Sequence, residues 1–337
     1  MSSLFLTRSI GSLIDDVEDG KRTAESILAD SIDAIQPSQD TFRAWEHVAD
    51  AAHAKRLSLG ADNERTREDL LRYMPVGVKD IYNTLDFPTQ MGSPLWKDFT
   101  PGNDARAVFN LKRQGAIVVG KTVTAEFAVH ALNSTQNPWD TSRTPGTSSS
   151  GSAVAVSLGM VPIATGSQTA GSIVRPASFC GVYGCKPSFG TIPRTGTLKT
   201  TDSLDTLGFF VAHAEDLTRG FDAMRVDGLD YPISTEALRD SVRQTKRTGR
   251  PWRVGFARTH TWEQAPKYAQ QALSQFIEQL AGIAEVDVVD ATLPPGSMHA
   301  HQIHETIYNK ALSYYFKDEH QQAEFVSPVM NELIESG

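Results

Sequence analysis

The segment TPGTSSSGSAVAVSLGMVPIATGSQTAGSIVRP, residues 144–176, decides which fold and function the sequence predicts. Two loops rich in serine and glycine flank an apolar helix-like run and a strand-like run, MVPIATG. Small residues let the backbone N–H groups approach a ligand, and a loop that leads into a helix suits an anion or an oxyanion hole. The same residues suit close packing of a helix on a strand, so composition alone leaves both interpretations open.

Upstream, GAIVVGKT at residues 115–122 matches the phosphate-binding pattern G-x-x-x-x-G-K-[ST]. That site needs a strand, then a loop, then a helix. Here a helical pattern at 104–114 ends on Gly115, and the β-branched run Ala-Ile-Val-Val follows it. The order is helix, glycine, strand, so we interpret the match as a buried strand and reject an ATP site.

Short apolar runs and helical patterns alternate from Met74 onward, which predicts an α/β fold with helices flanking a sheet. The first sixty or so residues have helical spacing, broken at Gly20 and continued through EHVADAAHAKRLSLG at 46–60. We therefore predict an N-terminal helical segment at 1–62 that packs on an α/β core at 63–337.

Composition excludes several classes of protein. The 337 residues are 40% hydrophobic and 21% charged, with a net charge of -8, which is typical of a globular protein and argues against nucleic acid as a partner. The sequence has no secretory signal and no run long enough for a membrane span. Two cysteines, Cys180 and Cys185, suit neither a disulfide framework nor a zinc site, and cytoplasmic residence is expected.

Several motifs, in order and at matching spacing, resemble the amidase signature family of serine hydrolases. From the N-terminus, they are GVKD at 77–80, GKTVTAEFA at 120–128, PGTSSSGS at 145–152, AGSIVRPA at 170–177, FCGVYGCKPSFG at 179–190 and SLDTLGFF at 203–210. The serines at 148 and 172 stand 24 positions apart, the usual separation in that family. The resemblance implies a central mixed sheet in which the GKT segment is a strand.

The resemblance also implies a Ser-cis-Ser-Lys triad. Ser172 would be the nucleophile, Ser148 a proton relay next to a cis peptide bond, and Lys79 the base. Because an ammonium group cannot accept a proton, Lys79 must be neutral, and burial lowers a lysine pKa. The backbone N–H groups of Thr169, Ala170, Gly171 and Ser172 would form the oxyanion hole. The implied activity is hydrolysis of a small amide through an acyl-enzyme, without a metal or other cofactor.

One departure from the usual family pattern narrows the range of expected substrates. The arginine stands three positions after Ser172, at Arg175, as in a bacterial malonamidase branch whose arginine pairs with a substrate carboxylate. The resemblance thus predicts a carboxylate-bearing amide, with Arg175 and Thr147 as substrate-binding residues. A structural ion pair for Arg175 is the alternative. Thr147 and Ala170 replace usual glycines, so we expect the pocket to be adjusted rather than lost.

Two further expectations concern length and partners. The chain ends at Gly337 inside a predicted helix, and family members continue further, so we expect the C-terminal part of the fold to be missing. Expected partners are a small amide and at most a second copy of the chain, as a homodimer. The alternative function is a non-catalytic or partner-dependent homologue, such as one subunit of an amidotransferase. We do not predict a metal site at His299, His301 and His304, because no further ligand is evident.

Overall fold

The structure, a computed structural model that describes residues 3–50, 69–226 and 251–337, contains a six-stranded mixed sheet and a separate two-stranded sheet. The chain divides into two units. Unit 1 is Met1–Val226 together with Tyr308–Gly337, and unit 2 is Asp227–Ile307. The boundary predicted between residues 62 and 63 lies outside the described residues, so it stays a prediction.

The described strands and helices follow the chain in alternation. The strands are β1 (Trp45–Val48), β2 (Pro75–Lys79), β3 (Ile117–Thr122), β4 (Ile163–Gln168), β5 (Tyr183–Cys185), β6 (Thr206–Val211), β7 (Trp252–Phe256) and β8 (Val286–Asp290). The α-helices are α1 (Leu4–Thr7), α2 (Ile10–Glu18), α3 (Ala24–Phe42), α4 (Arg106–Arg113), α5 (Ser150–Ser157), α6 (Val174–Cys180), α7 (Asp216–Met224), α8 (Lys267–Ala281), α9 (Ala300–Tyr315), α10 (Lys317–His320) and α11 (Pro328–Glu335). Short 3-10 turns lie at Pro94–Trp96, Glu126–Ala128, Trp262–Gln264, Pro295–His299 and Ala323–Phe325.

The sheet of unit 1 has the strand order β1-β3-β2-β4-β6-β5. Strand β2 pairs in parallel with β3 and β4, whereas the β1–β3, β4–β6 and β5–β6 pairs are antiparallel. Every residue of β2, β3 and β6 is buried, which explains why apolar residues in these strands stand next to one another instead of alternating with polar ones. The predicted α/β class with a mixed central sheet is confirmed.

The N-terminal helices begin at side-chain caps. The Ser9 hydroxyl accepts from the backbone N–H of Ser12 at the start of α2, and Thr23 forms a reciprocal capping box with Ser26 at the start of α3. The helical prediction is wrong for Trp45–Val48, which forms the edge strand β1 against β3. Residues 51–60 of that prediction lie outside the described part of the chain.

Residues 115–122 form the predicted strand. Helix α4 is followed by Gly115, whose φ of +81° suits glycine, and a Cβ there would lie 2.8 Å from the Cα of Arg72. Strand β3 then begins at Ile117, and all six of its residues are buried. The interpretation of GAIVVGKT as a helix end followed by a buried strand is confirmed.

Unit 1 contains a large core around the sheet and a smaller second one, here called the C-terminal cluster. The cluster joins the segment after β2 and the turn at Glu126–Ala128 to helices near the end of the chain. Its buried members are Met91, Phe127, Val129, Tyr308, Leu312, Phe316, Val326, Met330 and Ile334. The residues 308–337 therefore belong to the same hydrophobic assembly as the segments beside the central sheet.

Unit 2, taken by itself, contains the parallel pair β7–β8 and helix α8. His301 Nδ1 lies 3.2 Å from His260 Nε2.

Within the described ranges, no group of three or more His, Cys, Asp or Glu side chains is arranged to hold a metal ion. In the same ranges, no helix is both long enough and apolar enough to cross a bilayer.

Candidate active site

Lys79 ends strand β2 and has no solvent-accessible surface. Its Nζ atom lies 2.7 Å from the Ser148 hydroxyl and 2.8 Å from the Ser167 hydroxyl, while its backbone N–H donates to Thr165 Oγ1 at 2.8 Å. Among the described residues, no carboxylate oxygen comes within ion-pair distance of this amine. Lys79 is thus a buried amine held by two hydroxyl groups rather than by an acid.

Burial lowers the pKa of the Lys79 amine well below its ordinary value of 10.5. The negative charge of Asp205 acts in the opposite direction but is the smaller effect. A neutral amine keeps a lone pair that can accept a proton from a neighbouring hydroxyl. The environment of Lys79 therefore favours the protonation state that a general base requires.

Ser148 lies in the first serine-rich loop, directly before helix α5. The peptide bond between Thr147 and Ser148 is cis, as the family resemblance implies. Gly146 has a φ of +85°, and a Cβ there would lie 2.9 Å from the Cα of Pro176, so a side chain would push the Ser148 loop away from helix α6. The small residues in this region thus allow the loop of Ser148 to contact the segment that follows Ser172.

Ser172 lies on the second loop, between β4 and α6, and is buried. Its hydroxyl makes no hydrogen bond to any described residue. The backbone N–H groups of Ala170, Gly171 and Ser172 likewise have no acceptor within the described residues. Three consecutive amide donors beside a serine hydroxyl are therefore available to an oxygen atom of a bound ligand.

Two side chains fix the ends of this loop. Gln168 Oε1 accepts from the backbone N–H groups of Ile173 and Val174 at 2.8 and 2.9 Å, which fixes the start of α6. At the other end, the Thr169 hydroxyl donates to Asp205 Oδ1 at 2.7 Å. The loop at 169–172 is thus tied to the sheet on both sides.

Arg175, in the first turn of α6, is exposed and forms no ion pair with a described residue. Its Nε and Nη2 atoms donate to the Thr147 carbonyl at 3.3 and 3.0 Å. Burial lowers the pKa of His130, and the positive charge of Arg175 lowers it further. Arg175 therefore has guanidinium N–H groups that are free to bind a ligand, and its charge acts on His130.

A cavity of about 110 Å³ lies next to Ser167 and Thr169. It is lined by Ser167, Thr169 and Asp205, by Arg194 and Lys199, and by apolar side chains including Leu207. The cavity connects the lysine-contacting hydroxyl of Ser167 with the first residue of the Ser172 loop.

The structure brings Lys79 into contact with Ser148, and it joins Thr147 to Arg175 through the hydrogen bonds described above. No hydrogen bond links Ser172 to Ser148 in this structure. Sequence reasoning missed Ser167, Gln168 and Asp205. Gln168 and Ser167 lie within the quoted motif region and Asp205 within SLDTLGFF, but no local pattern reveals which distant groups they contact.

Comparison with known proteins identifies the family. A model of the amidase family matches residues 26–336, which is nearly the whole chain. The chain belongs to the amidase family. This confirms the resemblance at the level of the family, whose members include the relatives described next.

Relatives of this amidase-family chain include subunits of glutamyl-tRNA(Gln) amidotransferases. The subunit from Rhodopirellula baltica is 39% identical over 228 residues, covering 65% of this chain and 46% of the relative. The subunit from Nostoc sp. is 34% identical over 299 residues, covering 83% of this chain and 60% of the relative. The chain thus spans about half to three fifths of the length of these two relatives.

Solved amidase structures share the fold. A protein described as an amidase superposes with a TM-score of 0.82 at 24% identity, over 98% of this chain and 74% of that one. The peptide amidase from Stenotrophomonas maltophilia gives a TM-score of 0.78 at 23% identity, over 97% of this chain and 74% of that one. The glutamyl-tRNA(Gln) amidotransferase subunit from Thermotoga maritima gives a TM-score of 0.74 at 24% identity, over 98% of this chain and 73% of that one.

Proposed function

We propose that the chain hydrolyses a small amide through an acyl-enzyme formed on Ser172, with Ser148 as the proton relay and Lys79 as the base. The observation that carries this proposal is the 2.7 Å contact between the fully buried Lys79 amine and the Ser148 hydroxyl. A lysine without an acidic partner is costly to bury in its charged form, so it is neutral at far lower pH than a surface lysine.

The proposed reaction has two halves. In the first, Ser172 Oγ attacks the amide carbon, its proton passes to Ser148, and the Ser148 proton passes to Lys79. The oxygen of the tetrahedral intermediate accepts from the N–H groups of residues 170–172. The C–N bond then breaks, and the nitrogen leaves as ammonia or an amine after taking a proton from Ser148, which Lys79 resupplies. In the second half, water attacks the Ser172 ester by the same proton path.

Ser172 and Ser148 have to come within hydrogen-bond distance when substrate is bound. Contacts between catalytic groups often tighten only in the substrate complex. The absence of other partners for the Ser172 hydroxyl within the described residues supports this step, because the hydroxyl gives up no protein contact when it turns toward Ser148.

The substrate is, in our proposal, a short amide with a free carboxylate, similar to malonamate. Arg175 is exposed, lacks a carboxylate partner within the described ranges, and contacts the Thr147 carbonyl that precedes the cis peptide bond. These observations favour ligand binding over the alternative of a structural ion pair. A guanidinium group binds a carboxylate through two parallel hydrogen bonds, which would orient the amide relative to Ser172.

The role of an amidotransferase component is the second candidate, favoured by the identity of 34–39% to the two amidotransferase subunits described above. In that case the same site would release ammonia from an amide donor for transfer to a partner-bound acceptor. Glutamine as the preferred substrate, together with co-purification of a second chain, would support this candidate over a free-standing hydrolase.

The proposed function is tested with a fluorophosphonate probe and mass mapping of the labelled peptide. We expect labelling at Ser172 in the natural chain, and none in Ser172→Ala. Lys79→Met should slow labelling by at least about 100-fold, because general-base catalysis typically contributes 10²–10⁴-fold. Ser178→Ala, at an exposed serine of helix α6, which follows the Ser172 loop, is the matched control and should label normally.

An unlabelled natural chain that is folded by circular dichroism would contradict the proposal, and so would full labelling of Lys79→Met. Substrate class is then tested with malonamate and propionamide. We expect Arg175→Met to raise KM for malonamate at least tenfold and to leave KM for propionamide nearly unchanged. An equal change for both substrates would contradict the carboxylate assignment.

A further inference from the structure

We propose that Asp205 is a positioning residue of the site: its carboxylate fixes the start of the loop that carries Ser172 and places a negative charge that acts on the Lys79 amine. This inference rests on the proposed function. Asp205 directly precedes strand β6 and is buried, and it lies beside the cavity described above.

The Asp205 carboxylate is held by a closed set of donors. Five groups donate to it within 2.6–3.1 Å. They are the hydroxyls of Thr169, Thr200 and Thr201 on Oδ1, and the backbone N–H groups of Thr200 and Thr201 on Oδ2. Such a carboxylate is fixed in position, because moving it would break several charge-assisted hydrogen bonds at once.

One of these five hydrogen bonds, the one from Thr169, joins Asp205 to the loop that carries Ser172. Thr169 is the residue between the end of β4 and the amides of residues 170–172, and its hydroxyl contacts both Asp205 and Thr200. Gln168 fixes the other end of the same loop by accepting from Ile173 and Val174. With Asp205 in place, the three unpaired amide groups are presented in a fixed direction. Without it, the N-terminal end of the loop loses its tie to β6.

The charge of Asp205 has a second effect. It raises the pKa of the Lys79 amine, against the larger lowering that burial causes. Other charged groups lie around this loop: Arg175 forms no ion pair with a described residue, and Lys199 beside the cavity lies 2.7 Å from Asp202. Asp80 lies 3.0 Å from Lys121, and Arg194 Nη1 lies 3.9 Å from Asp205 Oδ2. Removing the charge of Asp205 should therefore lower the pKa of Lys79 further.

Two uncharged titratable groups also face this region. The Tyr82 hydroxyl donates to the Gly166 carbonyl at 2.6 Å, and burial raises the pKa of Tyr82 far above its ordinary value. Burial and the charge of Asp205 raise the pKa of Tyr308, while Arg175 lowers it. Both phenols stay protonated near neutral pH, so neither contributes a charge change to the pH dependence of the site.

Asparagine and alanine at this position separate the two effects. In Asp205→Asn, the amide oxygen can accept from the two backbone N–H groups, and the amide nitrogen can donate to threonine hydroxyls, which rotate to accept. The amide nitrogen has two hydrogens for three hydroxyls, so one threonine contact is lost, but the contact with Thr169 can be kept while the charge is removed. In Asp205→Ala, both are lost. Asp202→Asn, an exposed aspartate three positions away, is the matched control.

The experiment measures the rate of fluorophosphonate labelling at Ser172 against pH, together with hydrogen exchange of the peptide containing residues 169–174. We expect the labelling rate of Asp205→Asn to begin its rise at a lower pH than that of the natural chain. Hydrogen exchange of residues 169–174 should stay nearly normal. Asp205→Ala should label about 100-fold more slowly, as expected for a misplaced reacting group, and its loop amides should exchange at least tenfold faster. Asp202→Asn should match the natural chain.

If the labelling rate of Asp205→Asn rises over the same pH range as that of the natural chain, the charge effect is overturned. If the loop amides of Asp205→Ala exchange hydrogen at the normal rate, the positioning role is overturned. If Asp205→Ala does not fold, Asp205→Asn still tests the charge effect, and Thr169→Val tests the tie because it removes the hydroxyl alone. If the natural chain is not labelled, the proposed function fails, and hydrogen exchange alone decides whether Asp205 fixes the loop.

Discussion

Replacing Lys121 with methionine should destabilise unit 1 strongly, because this lysine is the centre of a buried polar cluster. All three ammonium protons are used: Nζ contacts the carbonyls of Tyr82 and Pro88 at 2.9 Å each and Thr89 Oγ1 at 2.8 Å. Asp80 Oδ1 lies 3.0 Å from the same Nζ atom and has no second partner within the described residues. Lys121 and Asp80 are both almost completely inaccessible to solvent.

The magnitude follows from what the substitution leaves behind. Breaking a buried ion pair by removing one partner costs about 3–5 kcal/mol, since the remaining charge has no compensation. Unsatisfied buried acceptors add to this, although the two costs overlap. We expect a loss of about 4–6 kcal/mol in the free energy of unfolding, comparable to the total stability of a typical domain at about 5–15 kcal/mol.

Urea unfolding, followed by circular dichroism and tryptophan fluorescence, measures this loss. The double variant Asp80→Asn with Lys121→Met serves as the control, because it removes the uncompensated charge while its side-chain oxygen can still accept from Gln90. It should be about 1–2 kcal/mol more stable than Lys121→Met alone. A loss below about 1 kcal/mol in Lys121→Met would refute the reasoning, as would a double variant that is less stable than the single one.

Three further predictions concern the sheet and the site. Gly208→Ala should lower the free energy of unfolding by more than about 2 kcal/mol, because the new Cβ would lie 2.0 Å from the Cys185 carbonyl oxygen. The control is Gly296→Ala, whose Cβ would meet nothing within 4 Å. Equal urea midpoints for the two variants would contradict this packing argument. Tyr82→Phe should cost about 1–2 kcal/mol in the same assay through its lost hydrogen bond to Gly166, and unchanged stability would disprove that role. The labelling rate at Ser172 should rise with pH as Lys79 loses its proton and level off well below pH 10.5; a midpoint at the ordinary lysine value would show that burial does not act on this amine.

Much of the fold of unit 1 was predictable because its strands carry local signals. Strands β2 and β3 are short apolar runs next to glycine or helix-ending residues, and such runs are buried whatever their neighbours. Trp45–Val48 was predicted wrongly because its helical spacing continues from the preceding helix. What decides its structure is a distant partner: Gly120 of β3 lacks a side chain, and a Cβ there would lie 2.2 Å from the His47 carbonyl.

The same distinction applies to the candidate site. The motif spacing predicted Lys79, Ser148 and Ser172, because these residues lie in segments that can be recognised one at a time. Asp205 was not predicted to belong to the site, since its contact with Thr169 joins residues 36 positions apart across two strands. Side-chain hydrogen bonds of this kind depend on strand order, which single-sequence patterns do not contain.

The C-terminal cluster has a consequence for how the protein is made. Phe127 is buried against Phe316, with ring centroids 4.9 Å apart, yet the two residues leave the ribosome far apart in time. At a synthesis rate of roughly 5–20 residues per second, the segment around Phe127 waits roughly 10–40 s for its partner. During that interval the nascent chain presents apolar surface that the finished protein covers, so chaperone binding should concentrate on this segment during translation.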